Sequence, residues 1–101
     1  MKILHLNVKK KYFVQIASGE KKIEYRVANK YWSARLIKSY GLVIIMNQFD
    51  EIWIKNGYAR KGNPAPLIKM WHWETDLELV EYPESGKNEM CFCVYLGDTI
   101  K

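Results

Sequence analysis

Histidine, cysteine and long apolar runs are scarce in this 101-residue chain, and each scarcity excludes something. Apolar stretches such as Leu42-Val43-Ile44-Ile45-Met46 fall far short of the ~20 residues that span a bilayer, so no membrane role is expected. The only histidines, His5 and His72, have no ligand partner at motif spacing, so neither a metal site nor a cofactor is expected. Cys91 and Cys93 are too close for an ordinary disulfide and read as small buried hydrophobes. The start, Met1-Lys2-Ile3-Leu4-His5-Leu6, lacks the long apolar stretch and cleavage site of a secretion signal. Reduced cysteines and a cytoplasmic location are the corresponding expectations. Internal repeats and low-complexity tracts are missing too.

What the chain does contain is apolar surface and unevenly placed charge. Hydrophobic residues make up 49% and charged residues 27%, proportions that can offset the entropy of ordering the backbone. The length suits a single domain, residues 1–101. Four Trp, seven Tyr and three Phe are many for so short a chain. The net charge of +5 is divided unequally. Residues 1–40 hold ten Lys/Arg against two Glu, whereas residues 41–101 hold six against nine Asp/Glu. A cationic half with interleaved aromatics points to a polyanionic partner.

Local patterns predict the elements. Residues 3–8 alternate as a strand, and Tyr12, Phe13, Ile16 and Ala17 take helical spacing up to a stop at Ser18-Gly19. Residues 22–27 alternate as a half-exposed strand whose polar face carries Lys22, Glu24 and Arg26. A second helix is predicted over 30–39 with Asn29 as its N-cap. Strands are predicted over 42–46 and 49–55, followed by a loop from Asn56-Gly57 through Gly62, Asn63 and Pro64 to Pro66. Two further strands, 67–72 and 77–82, are expected on either side of a break near Glu74-Thr75-Asp76. The last, 90–96, is apolar on both faces and so central. About six strands with two helices near the N-terminus give an α+β fold with a small β-barrel core.

The densest chemistry lies in Gly19-Glu20-Lys21-Lys22-Ile23-Glu24-Tyr25-Arg26. Glu24 and Arg26 are two apart on a strand and share a face. An Arg–carboxylate pair can fix the guanidinium plane toward a ligand, and Lys21 beside it supplies a point charge or an amine base. On spacing alone these charges can equally be a solvated outer face.

The same stretch fits the G-x-K-x-x-E-x-R signature of the ASCH domain family, within the PUA-like superfamily, and further residues extend the match. Tyr12-Phe13-Val14-Gln15-Ile16 resembles the helix before the glycine, and Glu24-Tyr25-Arg26, Tyr31-Trp32 and Arg35-Leu36 resemble the following run of small phage and bacterial members. Phe49–Ile54 and Asn56-Gly57-Tyr58 are similar to their later strand and turn. The resemblance implies a PUA-like β-barrel that binds RNA or a modified nucleotide in a basic cleft. Some members are hydrolases on RNA or modified nucleosides, and one branch deacetylates acetylcytidine with a lysine and a threonine. Lys21 matches that lysine, but Glu24 occupies the threonine position and cannot be the same nucleophile.

Candidate nucleic-acid contacts are therefore Lys10, Lys21, Lys22, Arg26, Trp32, Arg35 and Tyr58, with phosphates meeting the cations and bases stacking on the rings. Tyr25 lies on its strand's apolar face and is expected in the core. The hydrolytic alternative takes Lys21 as base with Glu24 or Glu74 as partner. Glu74 follows Met70-Trp71-His72-Trp73, read as a strand with tryptophans packed inside and His72 at the rim. A third possibility is a structural or inhibitory protein whose basic half meets an acidic protein surface.

Overall fold

The computed structural model describes residues 1–57 and 66–100. The elements in chain order are β1 (Ile3–Val8), α1 (Lys10–Ala17), β2 (Ile23–Val27), α2 (Lys30–Leu36), β3 (Ile37–Tyr40), β4 (Val43–Met46), β5 (Glu51–Asn56), β6 (Leu67–Glu81) and β7 (Asn88–Thr99). Hydrogen bonding orders five of these strands β1-β5-β6-β7-β2, while β3 and β4 form a separate two-stranded sheet. The α+β architecture, with both helices in the first forty residues, agrees with the sequence reading. Among the described residues the pairing does not close into a barrel. No helix among them is long and apolar enough to cross a membrane.

The chain divides into two compact units. The first contains Met1–Lys22, Phe49–His72 and Leu96–Lys101. Its β1 alternates as expected: Leu4, Leu6 and Val8 point inward while His5 and Asn7 are exposed. β1 runs parallel to β5, with Leu6 opposite Ile54, and β5 runs antiparallel to the first part of β6. Ile16 is the buried residue of α1, and the helix stops where Gly19 adopts φ +83°, a left-handed conformation that favours glycine. The reversal is pinned by the Lys21 N–H, which donates to the Gln15 carbonyl at 3.0 Å. Gly97 is favoured for a different reason. A Cβ there would stand 3.0 Å from the Trp71 carbonyl oxygen and 3.1 Å from its Cβ, so any other residue would force the two backbones apart by a few tenths of an ångström.

The second unit contains Ile23–Gln48 and Trp73–Tyr95. Cys91, Phe92, Cys93 and Val94 of β7 are buried in succession, so both faces of this strand are covered as the apolar run predicts. Full burial of a side chain such as Phe92 contributes roughly 1.5–3 kcal/mol. β2 pairs antiparallel with β7, placing Tyr25 opposite Cys93 and Arg26 opposite Phe92. Asn29 caps α2: its side-chain oxygen accepts the Trp32 N–H at 2.9 Å.

Three sequence expectations are corrected here. α2 ends at Leu36 rather than continuing to Ser39, because Ile37–Tyr40 pair as β3 with Val43–Met46, and Gly41 at φ +61° makes the turn. β3 is a strand that the sequence pattern does not predict. The break expected at Glu74-Thr75-Asp76 is missing, and β6 runs without interruption from Leu67 to Glu81. What changes there is facing: Trp73 and Glu74 are both exposed and Thr75 is buried, so the inside–outside alternation skips one step. The third correction concerns β2 and bears on the site.

Candidate nucleic-acid interface

β2 carries its charged residues inward. Glu24 is only 4% exposed, so the face expected to be polar and half-exposed holds the most buried residue of the strand. A buried carboxylate needs partners, and Glu24 has them: Arg26 Nη1 lies 3.3 Å from Oε1, and the Tyr25 N–H donates to the same oxygen at 3.1 Å. Arg26 Nη1 also donates to the Tyr25 carbonyl at 3.1 Å. These contacts hold the guanidinium near the strand and fix its plane.

The next ring in this arrangement comes from the capped helix. The Arg26 guanidinium lies 5.2 Å from the centre of the Trp32 ring, within cation–π range. Trp32 meets Tyr31 edge to face at 5.0 Å, and Arg35 stacks on Tyr31 at 3.6 Å. Arg35 also donates to the Tyr31 carbonyl at 3.2 Å, one helical turn back. The result is a ladder that runs from buried Glu24 through Arg26, Trp32 and Tyr31 to exposed Arg35. Its inner rungs are half-buried and its outer rungs, Tyr31 and Arg35, face solvent. Chemically it offers fixed guanidinium charge alternating with aromatic surface, which suits phosphates and base faces together.

Tyrosines flank this region. Tyr82 has its phenol pushed up by burial, with nearby Arg26 acting in the opposite sense, and Tyr25 is raised by burial and then by Cys93 and Glu78. Both are half-buried and protonated at neutral pH, available as donors. Tyr25 is therefore less completely covered than a core residue.

The first unit holds a second, different cluster. Lys11 Nζ and Lys21 Nζ lie 4.8 and 5.0 Å from the centre of the Tyr12 ring. Lys21 is half-buried while Lys10 and Lys22 are exposed. Lys21 and the Glu24–Arg26 pair thus belong to separate units, although three residues separate Lys21 from Glu24 in sequence. Tyr12 was legible only as a helix position. Its place between two lysines depends on the turn at Gly19.

The remaining candidates are placed as follows. Trp71 and Trp73 are exposed, whereas His72 is buried and its Nδ1 accepts the Phe49 N–H at 3.0 Å. The expectation of inward tryptophans and a rim histidine is therefore reversed: the strand's facing puts Met70 and His72 inside. Glu74 is exposed. Tyr58, and the loop residues Gly62, Asn63 and Pro64, lie outside the described residues. Cys93 Sγ lies 3.8 Å from Glu78 Oε2, and burial together with that carboxylate pushes the thiol up to about 11, the opposite of an activated nucleophile. Among the described residues no three His, Cys, Asp or Glu side chains are grouped to hold a metal ion. No family model, curated protein or solved structure matches this chain.

Proposed function

We propose that this chain binds RNA or a modified nucleotide, with the Arg26–Trp32–Tyr31–Arg35 ladder as the principal contact surface. One observation carries the reading: a buried carboxylate, Glu24, is spent on orienting Arg26 beside an aromatic ring. Exposed salt bridges contribute little to stability, and buried ones are often replaceable by apolar groups. A guanidinium held in this way is better explained by recognition of a planar or anionic ligand. Arg35 and Tyr31 offer an exposed cation–aromatic step on which an unstacked base can lie. Lys10, Lys21 and Lys22 add phosphate contacts from a second basic cluster. We read the chain as ASCH-like, and a barrel of PUA type belongs to that reading.

The test is recovery of cellular RNA on the immobilised protein, with mass analysis of the bound nucleosides. Wild type is expected to enrich RNA, Arg26→Ala to lose most of it, and Lys21→Ala to lose part. Equal recovery by wild type and Arg26→Ala would refute the ladder as the site. Shortened RNA or altered nucleosides, abolished by Lys21→Ala, would replace simple binding with hydrolysis.

A further inference from the structure

The sheet of the first unit has a face that the ladder does not use. β1, β5 and the first part of β6 alternate in step: Leu4, Ile52 and Met70 are buried in one row of the register, so the residues on either side of that row point outward. On the outer face, one row pairs His5 with Trp53 and Trp53 with Lys69, and the next pairs Glu51 with Trp71. Contacts fix the first of these rows. The Trp53 Nε1–H donates to Glu51 Oε1 at 2.9 Å, which sets the plane of the indole. His5 meets that indole edge to face with ring centres 5.5 Å apart, and Lys69 Nζ stands 4.3 Å from the ring centre. Trp71 is less confined. It is 49% exposed, and a Cβ on its β7 neighbour Gly97 would stand 3.1 Å from its own, so position 97 sets no side chain against it.

Charge and order on this face decide the ligand. Its charged residues are Lys55 and Lys69 against Glu51, whose carboxylate already accepts from Trp53. Lys69 lies directly across from Trp53 and two residues before Trp71, about 7 Å along the strand. A cation therefore stands between two indoles, as a phosphate stands between two bases in a single strand. A duplex keeps its base faces inside and cannot use the exposed ring. An unpaired strand offers a base face and a phosphate at neighbouring positions. We propose that this face is a second contact surface for single-stranded RNA, on which Trp71 stacks one base and Lys69, steadied over Trp53, takes the adjoining phosphate. The choice of RNA rests on the function proposed above, but the platform uses no residue of the ladder.

The test is fluorescence anisotropy of the full chain with a labelled single-stranded RNA of about 12 nucleotides, within the span such surfaces cover. Trp71→Ala is expected to bind roughly 10-fold more weakly, and Trp71→Phe, which keeps a ring, within about 3-fold of wild type. Lys69→Gln should lower the slope of affinity against salt by about one. Its exposed position keeps the test decisive should Trp71→Ala fold poorly. The losses from Trp71→Ala and Arg35→Ala should multiply in the double variant, as for contacts that share no partner. The platform is overturned if wild type binds RNA and both Trp71→Ala and Lys69→Gln match it, a result that leaves the ladder standing where Arg35→Ala is still weakened. A wild type that binds no RNA overturns the platform and the ladder together. A chain that sediments as an oligomer, and becomes monomeric on Trp71→Ala with RNA affinity unchanged, makes the face a contact between copies and also overturns the proposal.

Discussion

On β2 a carboxylate and a guanidinium turn inward, whereas on β6 two tryptophans turn outward. β2 alternates throughout and β6 alternates up to Trp73, and in each the costly choice has been made. Burying Glu24 costs solvation that Arg26 and the Tyr25 N–H offset. Exposing Trp73 leaves a large apolar ring in water. On the function proposed above, the buried and oriented charge recognises a small chemical group, whereas the exposed tryptophans add little to the core.

Four changes would break or sharpen that contrast. The largest effect is expected for Glu24→Ala, which strands Arg26 beside a vacated partner and should cost about 3 kcal/mol. Urea unfolding measures it, and a loss below about 1 kcal/mol would put the pair among ordinary surface contacts. Next comes alkaline pH. Cys93 keeps its proton to about 11 in the fold against an ordinary 9.0, so the native chain binds a proton that the unfolded chain has released. That contribution is fully present below pH 9 and is lost as pH rises toward 11, a loss on the order of 2 kcal/mol. Tyr25, raised in the same direction by burial, adds to it with the same sign. Denaturation midpoints at pH 8 and 10.5 should show the fall, and Cys93→Ala should reduce it.

A smaller effect is expected for Asn29→Ala. It removes the cap on the Trp32 N–H and should cost about 1 kcal/mol by thermal unfolding, with a parallel loss of RNA affinity as α2 frays. The smallest belongs to β6. Trp73→Ser should change the stability by less than about 0.5 kcal/mol, since the ring is 72% exposed. A cost as large as that of Glu24→Ala would remove the contrast between the strands.

Much of the fold was legible because local chemistry and tertiary structure agree. Gly19 stops α1, Asn29 caps α2, and the apolar run in β7 is buried on both faces. Facing was less legible. Alternation in β2 separates Glu24 and Arg26 from Tyr25, but which side is inward depends on what covers the strand, and apolar-in is only the commoner outcome. β3 was hidden for another reason. Helical spacing from Tyr31 through Ser39 continues on paper, and only the distant pairing of Ile37–Tyr40 with Val43–Met46 ends it. In β6 the composition of Glu74-Thr75-Asp76 resembles a turn, although the backbone stays extended there and only the facing shifts. Of the site, Arg26, Trp32 and Arg35 were named from sequence. Tyr31 as the bridging ring, and the burial of Glu24, required the geometry.

The central claim is that the ladder binds RNA, and its most direct test is the affinity of a labelled single-stranded RNA measured by fluorescence anisotropy across a salt series. Arg35→Ala alters an exposed rung and leaves the buried pair intact, so folding is not at issue. Wild type should bind with an affinity that falls steeply with salt, and Arg35→Ala should bind about 10-fold more weakly at every salt concentration. No binding at low salt, or the same affinity for both proteins, would contradict the account.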